Sequence, residues 1–456
     1  MGNSQDARFS ARTGARLLPL SLGLAATLLL SACQEREVII PGVREPVDAA
    51  LTGGDAATDA AQEVTDAARA ISLPAQVANT SAPQGIGTQS FRTDHASLGA
   101  TLAPIWSVNI GQGDSRKHRI NADPVVADGR IFTLDSLTTV SAVSTGGQLL
   151  WQADVRPDEA NDDDGTGGGL AVDDGRLFVT TGFGALTALD VETGRELWTQ
   201  DLNATASGRP TVFGDLVYLV AGDNTGWAIQ KDTGRIAWTV TASESVTNVL
   251  GAPAPVVVDG LTVFSFGSGE MQAVFRQGGL RRWDSSVSGR RTGRALASFD
   301  DVTGRPVVAG STIFAGNQAG RTVAIDAVNG RRIWTATEGA LGTVLPVAGS
   351  VFQVSDRNEL LRLDATDGTR IWGSRLPNFV KDKPRRVSEI FTHHGPVLAG
   401  GRLIVASSDG LIRSYDPASG ALVGATEIDA GATTAPVVAG RTLYVVDRKG
   451  NLVAYR

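Results

Sequence analysis

The sequence predicts an all-β fold: an eight-bladed propeller of four-stranded blades, with the last blade closed by an N-terminal strand. Three observations predict it. A unit of about 40–51 residues recurs from Trp106 onward, a spacing that suits one propeller blade. Each unit reads as short apolar runs broken by Gly-containing turns, which is a hairpin signal. The two ends of the repeat are also complementary. The last unit lacks a fourth run, and a lone run carrying a Trp stands before the first unit.

The opening run of each unit starts at Pro in seven copies, at Pro124, Pro210, Pro255, Pro306, Pro346, Pro396 and Pro436, with Gly169 in the remaining one. "PVVADGRIF" and "PVVAGRTLYVV" show the first two runs and their tight turn. A third run such as "LTALD" and a turn such as "VETGRE" follow, and the last run ends around a Trp. That position is Trp151, Trp198, Trp238, Trp283, Trp334 or Trp372, and Gly424 in the seventh copy. Four residues before it stands Gly147, Gly194, Gly234, Gly279, Gly330, Gly368 or Gly420. A tight hairpin needs the positive φ that Gly supplies. Asp190, Asp326, Asp364 and Asp416 stand eight residues before the same position. A ring recurring once per copy is read as structural, filling the wedge between adjacent sheets. Trp227 is off the period and has no assigned role.

In the last unit "NLVAYR" aligns with "ALTALD", which puts Arg456 at the Asp position and leaves the fourth strand missing. "APIWSVNI", with Trp106, supplies it. Closing the ring this way leaves no open sheet edge between first and last blades.

Ahead of the repeats, Arg8, Arg12 and Arg16 precede an apolar stretch of 14 residues, Leu17 to Leu30. It is short for a membrane span and suits a secretory signal. Leu30-Ser31-Ala32-Cys33 resembles a bacterial lipobox, and Cys33 is the one cysteine of the chain. Residues 1–32 are therefore expected to be removed and Cys33 to carry lipid. Gln34, in place of Asp, favours the outer membrane over inner-membrane retention. Removing three Arg and one Asp moves the net charge from −7 to −9, so attachment to anionic lipid would rest on the acyl chains. Residues 33–95 are expected to be the lipidated Cys and a flexible tether, poor in large apolar side chains, with a short helix over 56–71. The propeller is expected over 96–456.

Composition narrows the function. An acidic chain argues against a general nucleic-acid binder. One Cys excludes an intramolecular disulfide and a cysteine-built zinc cluster. The acidic run 161–169 reads as a solvated loop, and His393 and His394 as loop residues. No nucleophile–base pair or phosphate-binding loop stands out, so catalysis is not expected.

Asp-x-x-Thr-Gly-x-x-x-Trp, complete in "DVETGRELW", resembles the repeats of quinoprotein-type propellers. Two classes share it: PQQ-dependent dehydrogenases, and the BamB family of outer-membrane lipoproteins. The lipobox, the expected tether, eight copies and the ending "DRKGNLVAYR" are similar to the BamB family. That resemblance implies a non-catalytic scaffold without cofactor or metal in outer-membrane β-barrel assembly. Its implied partners are the POTRA domains of BamA, and direct contact with unfolded outer-membrane proteins stays open. A quinone-binding dehydrogenase or sensor and a glycan-binding propeller are the alternatives. The dehydrogenases resemble one another in a vicinal Cys pair, which a single cysteine cannot form.

The interblade links are long at 284–305 and 373–395, and also at 152–168 and 239–254. Topology puts them on one rim, and extra loop length usually serves binding. Two links are basic. One runs through Arg281, Arg282, Arg290, Arg291 and Arg294 to Asp300 and Asp301. The other holds Arg375, Lys381, Lys383, Arg385 and Arg386, with Phe379 and Phe391. In the family resemblance, an Asp-Val-Asp motif carries over at Asp301 but meets Thr303 at its second aspartate. A Leu-x-Leu-Arg-Gly stretch falls near Val249 and Leu250 and lacks its arginine. The expected partner-binding set is thus Val249, Leu250, Arg290, Arg291, Arg294, Asp300, Asp301, Lys381, Lys383, Arg385 and Arg386.

Overall fold

The computed structural model describes residues 66–161, 165–243, 251–287, 289, 291, 301–381 and 389–456, all within one compact unit. Cys33 and residues 1–65 lie outside the described residues. Eight four-stranded antiparallel sheets form an eight-bladed propeller. Blades 1 to 7 span 125–154, 168–201, 211–241, 256–286, 304–336, 345–375 and 393–427, each running from its inner to its outer strand. Blade 8 combines 437–455 with Pro104–Asn109 as its outer strand. Trp106 pairs with Ala454 and Asn109 with Asn451, so the N-terminal strand closes the ring.

Burial explains the apolar patterns. The second and third strands are buried on both faces between neighbouring blades, as in Arg130–Leu134 and Thr139–Ser144, so they read as unbroken apolar runs. Outer strands such as Glu196–Asp201 and Ile236–Thr241 alternate between exposed and half-buried residues.

One device joins blade to blade. The indole N–H of Trp106, Trp151, Trp198, Trp238, Trp283, Trp334 and Trp372 donates to a turn carbonyl of the next blade, at 2.9–3.2 Å. Each ring lies against the repeat Gly of that turn, so closely that a Cβ there would stand 2.5–2.8 Å from the indole. These glycines also have φ between +70° and +86°, so two independent constraints exclude a side chain. Within its own blade each indole meets a second-strand aromatic in six cases, for example Phe132, Phe178 and Phe352, with centroids 5.9 Å apart. The repeat Asp shapes the receiving turn: Asp190 Oδ1 accepts the amides of Glu192 and Thr193 at 3.1 and 2.9 Å.

Residues 66–95, expected to be part of a tether, are instead packed on the blades, and 66–71 contain no helix. They continue into 96–103 as a strap across the inner strands. Around the ring it bonds to Val438 (through Asn79), Val126 (Ala82), Val172 (Pro83), Val212 (Gln84), Val257 (Thr88), Val308 (Gly87) and Leu398 (Ala96). In six of these blades the bonded residue stands two positions after the strand-initial Pro. Gln84 imitates a strand residue: its Nε2 donates to the Val212 carbonyl and its Oε1 accepts the Val212 amide. Composition missed this because the strap is ordered through the unpaired edge groups of the inner strands more than through apolar burial. It lies beside the tight turns, at the end of the channel away from the long links.

Candidate functional site

The long-link end of the channel opens into a cavity of about 660 Å³. Its walls are built at the starts of the inner strands, where the chain enters each blade. Asp123, Arg209 and Arg305 occupy the same repeat position in blades 1, 3 and 5, each immediately before the strand-initial Pro. Ring closure brings them together. Arg209 donates to Asp123 Oδ2 at 2.6 Å, Arg305 donates to the same oxygen, and the Ala435 amide of blade 8 donates to Oδ1 at 2.8 Å. Burial by itself would raise the Asp123 carboxyl. The charges of Arg305 and Arg209, with these hydrogen bonds, override it and hold the group far below the usual carboxylate range. Such a cluster is costly to break, because losing one partner strands a buried charge.

Beside it, His394 lines the cavity. Burial pushes its pKa down to about 4, against the opposing pull of Asp123, so the ring is neutral at neutral pH. His393 is held by Ser407 Oγ at 2.7 Å and the Pro377 carbonyl at 2.8 Å. Both histidines belong to the strand His393–Ala399 and not to a loop, as the sequence had suggested. A second acid, Asp114, accepts the Ile120 amide at 2.9 Å and is flanked by Arg119 and Arg448 at 3.4 and 3.8 Å. Among the described residues no group of three His, Cys, Asp or Glu side chains could hold a metal ion.

The expected docking residues divide. Val249, Leu250, Arg290, Arg294, Asp300, Lys383, Arg385 and Arg386 lie outside the described residues, as do Asp162 to Asp164. Lys381 is exposed. Two others are corrected. Arg291 turns inward, with its Nε 3.2 Å from Asp356, its Nη2 3.3 Å from Glu338, and its amide bonded to the Ala319 carbonyl. It pins its own link to blades 5 and 6. Asp301 is 4% exposed, in the cavity wall and not on an outer rim surface, because the chain dives there to start blade 5. Arg281 and Arg282 are exposed on the outer strand Arg281–Ser286. Trp227 is a core residue.

Sequence reasoning missed the Asp123–Arg209–Arg305 cluster. Its signal was available: a charged residue immediately before the same Pro in alternate copies.

Fold and channel together define a class, the eight-bladed propellers built from quinoprotein-type repeats with tryptophan-docked blades. The family model for the outer membrane protein assembly factor BamB matches residues 136–374 and 378–456. The chain belongs to that family of outer membrane protein assembly factors. BamB of Shewanella oneidensis is 24% identical over 364 residues, covering 77% of this chain and 89% of the relative. Among solved structures, BamB from Moraxella catarrhalis superposes with a TM-score of 0.63 at 19% identity, over 78% of this chain and all of that one. Quinohemoprotein alcohol dehydrogenase from Comamonas testosteroni superposes nearly as well, with a TM-score of 0.62 at 15% identity, over 83% of this chain and 81% of the enzyme. These structural likenesses show the fold alone, and it is the family match that separates the two classes.

Proposed function

We propose that the protein is a non-catalytic scaffold in outer-membrane protein assembly. Acyl chains on Cys33 hold it to the outer membrane, facing the periplasm, and the long-link rim meets the POTRA domains of BamA. Family membership over most of the propeller carries this reading. The placement of the long links, all on the rim opposite the strap, supports it. Val249, Leu250, Arg290, Arg294, Asp300, Lys381, Lys383, Arg385 and Arg386 are the proposed contacts. Arg291 and Asp301 leave that set, because one braces the fold and the other lines the channel.

Co-purification from detergent-solubilised membranes tests the partner. BamA should be recovered with the wild-type chain and lost on joint charge reversal of Lys383, Arg385 and Arg386. Cys33→Ser should release the propeller from the membrane pellet. Dye reduction by the protein after incubation with PQQ and calcium would overturn the non-catalytic reading.

A further inference from the structure

Charges at the channel mouth are sorted by depth. The carboxylates of Asp114 and Asp123 are withdrawn into the wall, 7% and 5% exposed, and Asp301, which also lines the cavity, is 4% exposed. The guanidinium side chains of Arg119, Arg448 and Arg305 stand forward, 49%, 42% and 35% exposed. The first two acids are held back by bonds from the frame: Asp114 from the Ile120 amide and the Thr433 hydroxyl, Asp123 from Arg209 and the Ala435 amide. Each forward arginine touches its acid along one edge, and a guanidinium carries five donors. The lumen therefore presents cations, although the chain is acidic overall.

Part of the lip around this lumen is apolar. Leu341, Val380 and Ile390 line the mouth and are 37%, 37% and 42% exposed. Phe379 continues the patch, and its backbone pairs with Ile390. Glu389 is an exposed acid at the lip, with exposed Lys381 nearby. Large apolar side chains clustered at an opening mark a surface that a broader body covers. A small anion seated inside the cavity would leave them wet.

We propose that this mouth receives an acidic loop or chain terminus of a protein partner. Its carboxylates pair with Arg119, Arg448 and Arg305, and the apolar residues flanking them close on the lip. Guanidinium suits the task because it binds carboxylate in a planar, two-point fashion. Entry is from the long-link rim, since the strap crosses the other end. The proposal adds a site and a chemistry to the scaffold reading and is independent of it, because its test uses no assembly component.

The probe is a fluorescein-labelled peptide, Leu-Phe-Glu-Asp-Glu-Phe-Leu, titrated with the full chain and followed by anisotropy at low and high ionic strength. Arg119→Ala combined with Arg448→Ala should weaken binding about tenfold at low salt, the loss of charge-assisted pairs. The paired Arg→Lys variant should recover part of it, and Ile390→Ser should weaken binding severalfold. Arg305 is left intact because it clamps Asp123. Circular dichroism confirms that each variant folds. The proposal is overturned if the peptide does not bind or if the double Ala variant binds it equally well. It is also overturned if citrate displaces the peptide at equal concentration while Ile390→Ser has no effect, which would make the mouth a small-anion pocket.

Discussion

Seven junctions between blades use an indole, and the eighth does not. Blade 7 carries Gly424 where the others carry Trp, and the reason lies across the junction. In blade 8 the third and outer strands come from opposite ends of the chain, so no Asp-x-x-Thr-Gly turn connects them and no carbonyl is offered to an indole. Other bonds span the gap. The Tyr455 hydroxyl donates to the Glu427 carbonyl at 3.1 Å, and Thr426 Oγ1 donates to the Leu102 carbonyl at 3.3 Å. The tryptophan is thus half of a two-part joint, present only where the chain also makes its receiving turn.

Deleting 104–109 should have the largest effect. It removes a whole ladder and the Trp106 contact together, and about 5 kcal/mol or more of stability should go. Chemical denaturation measures it, and an unchanged midpoint would refute closure by this strand. Trp372→Ala should cost about 3–5 kcal/mol, since that ring is 2% exposed and bonded to Pro417. Trp106→Ala, at a half-buried ring, should cost less. Equal losses would remove the distinction between the closing joint and the rest.

Acid separates the indole joints from the channel mouth without the loss of any side chain. The indole–carbonyl bond itself holds no titratable group, whereas the channel mouth is braced through Asp123 and Asp114. The pKa of His394 is about 4 in the folded chain, below its unfolded value near ~6.5. The unfolded state therefore binds more protons in between, and stability falls as pH drops through that window, by up to about 3 kcal/mol. Asp123 has the opposite kind of ionisation but loses in the same direction. Its depressed pKa contributes stability above the unfolded carboxylate value, and this is lost only as pH falls below it. His394→Gln should flatten the decline between pH ~6.5 and ~4 while leaving the steeper loss at lower pH, as read by denaturant midpoints across the range. A decline identical to wild type would show that the imidazole is not its source. The smallest effect belongs to Gly424→Ala, which should shift stability by no more than about 0.5 kcal/mol. A Cβ there meets only the Ser414 side chain, at 3.9 Å, and the same change at Gly420 should be far more damaging.

What the sequence made legible follows from distance along the chain. The Trp and Gly of a joint recur once per copy, so repetition exposes both, and the unmatched ends expose the closure. Their contact with each other was not visible, because the ring of one copy meets the glycine of the next. Asp123, Arg209 and Arg305 meet across 86 and 182 residues, a convergence that exists only once the ring has formed. Arg291 misled for another reason. A run of arginines reads the same whether a given side chain faces water or turns back onto Glu338 and Asp356.

The strap and the closing strand also impose an order in time. Residues 66–109 leave the ribosome before any blade, yet every blade they pack on is made later, and Pro104–Asn109 pairs with the last strand of all, Asn451–Tyr455. Contacts so distant in sequence form slowly. The closing strand must wait for its ladder until the final residues arrive, and then it joins both ends of the ring. A nascent chain arrested anywhere before blade 8 would therefore keep an open sheet edge and a closing strand without its ladder. Those are the marks by which proteases and chaperones distinguish unfinished chains from finished ones.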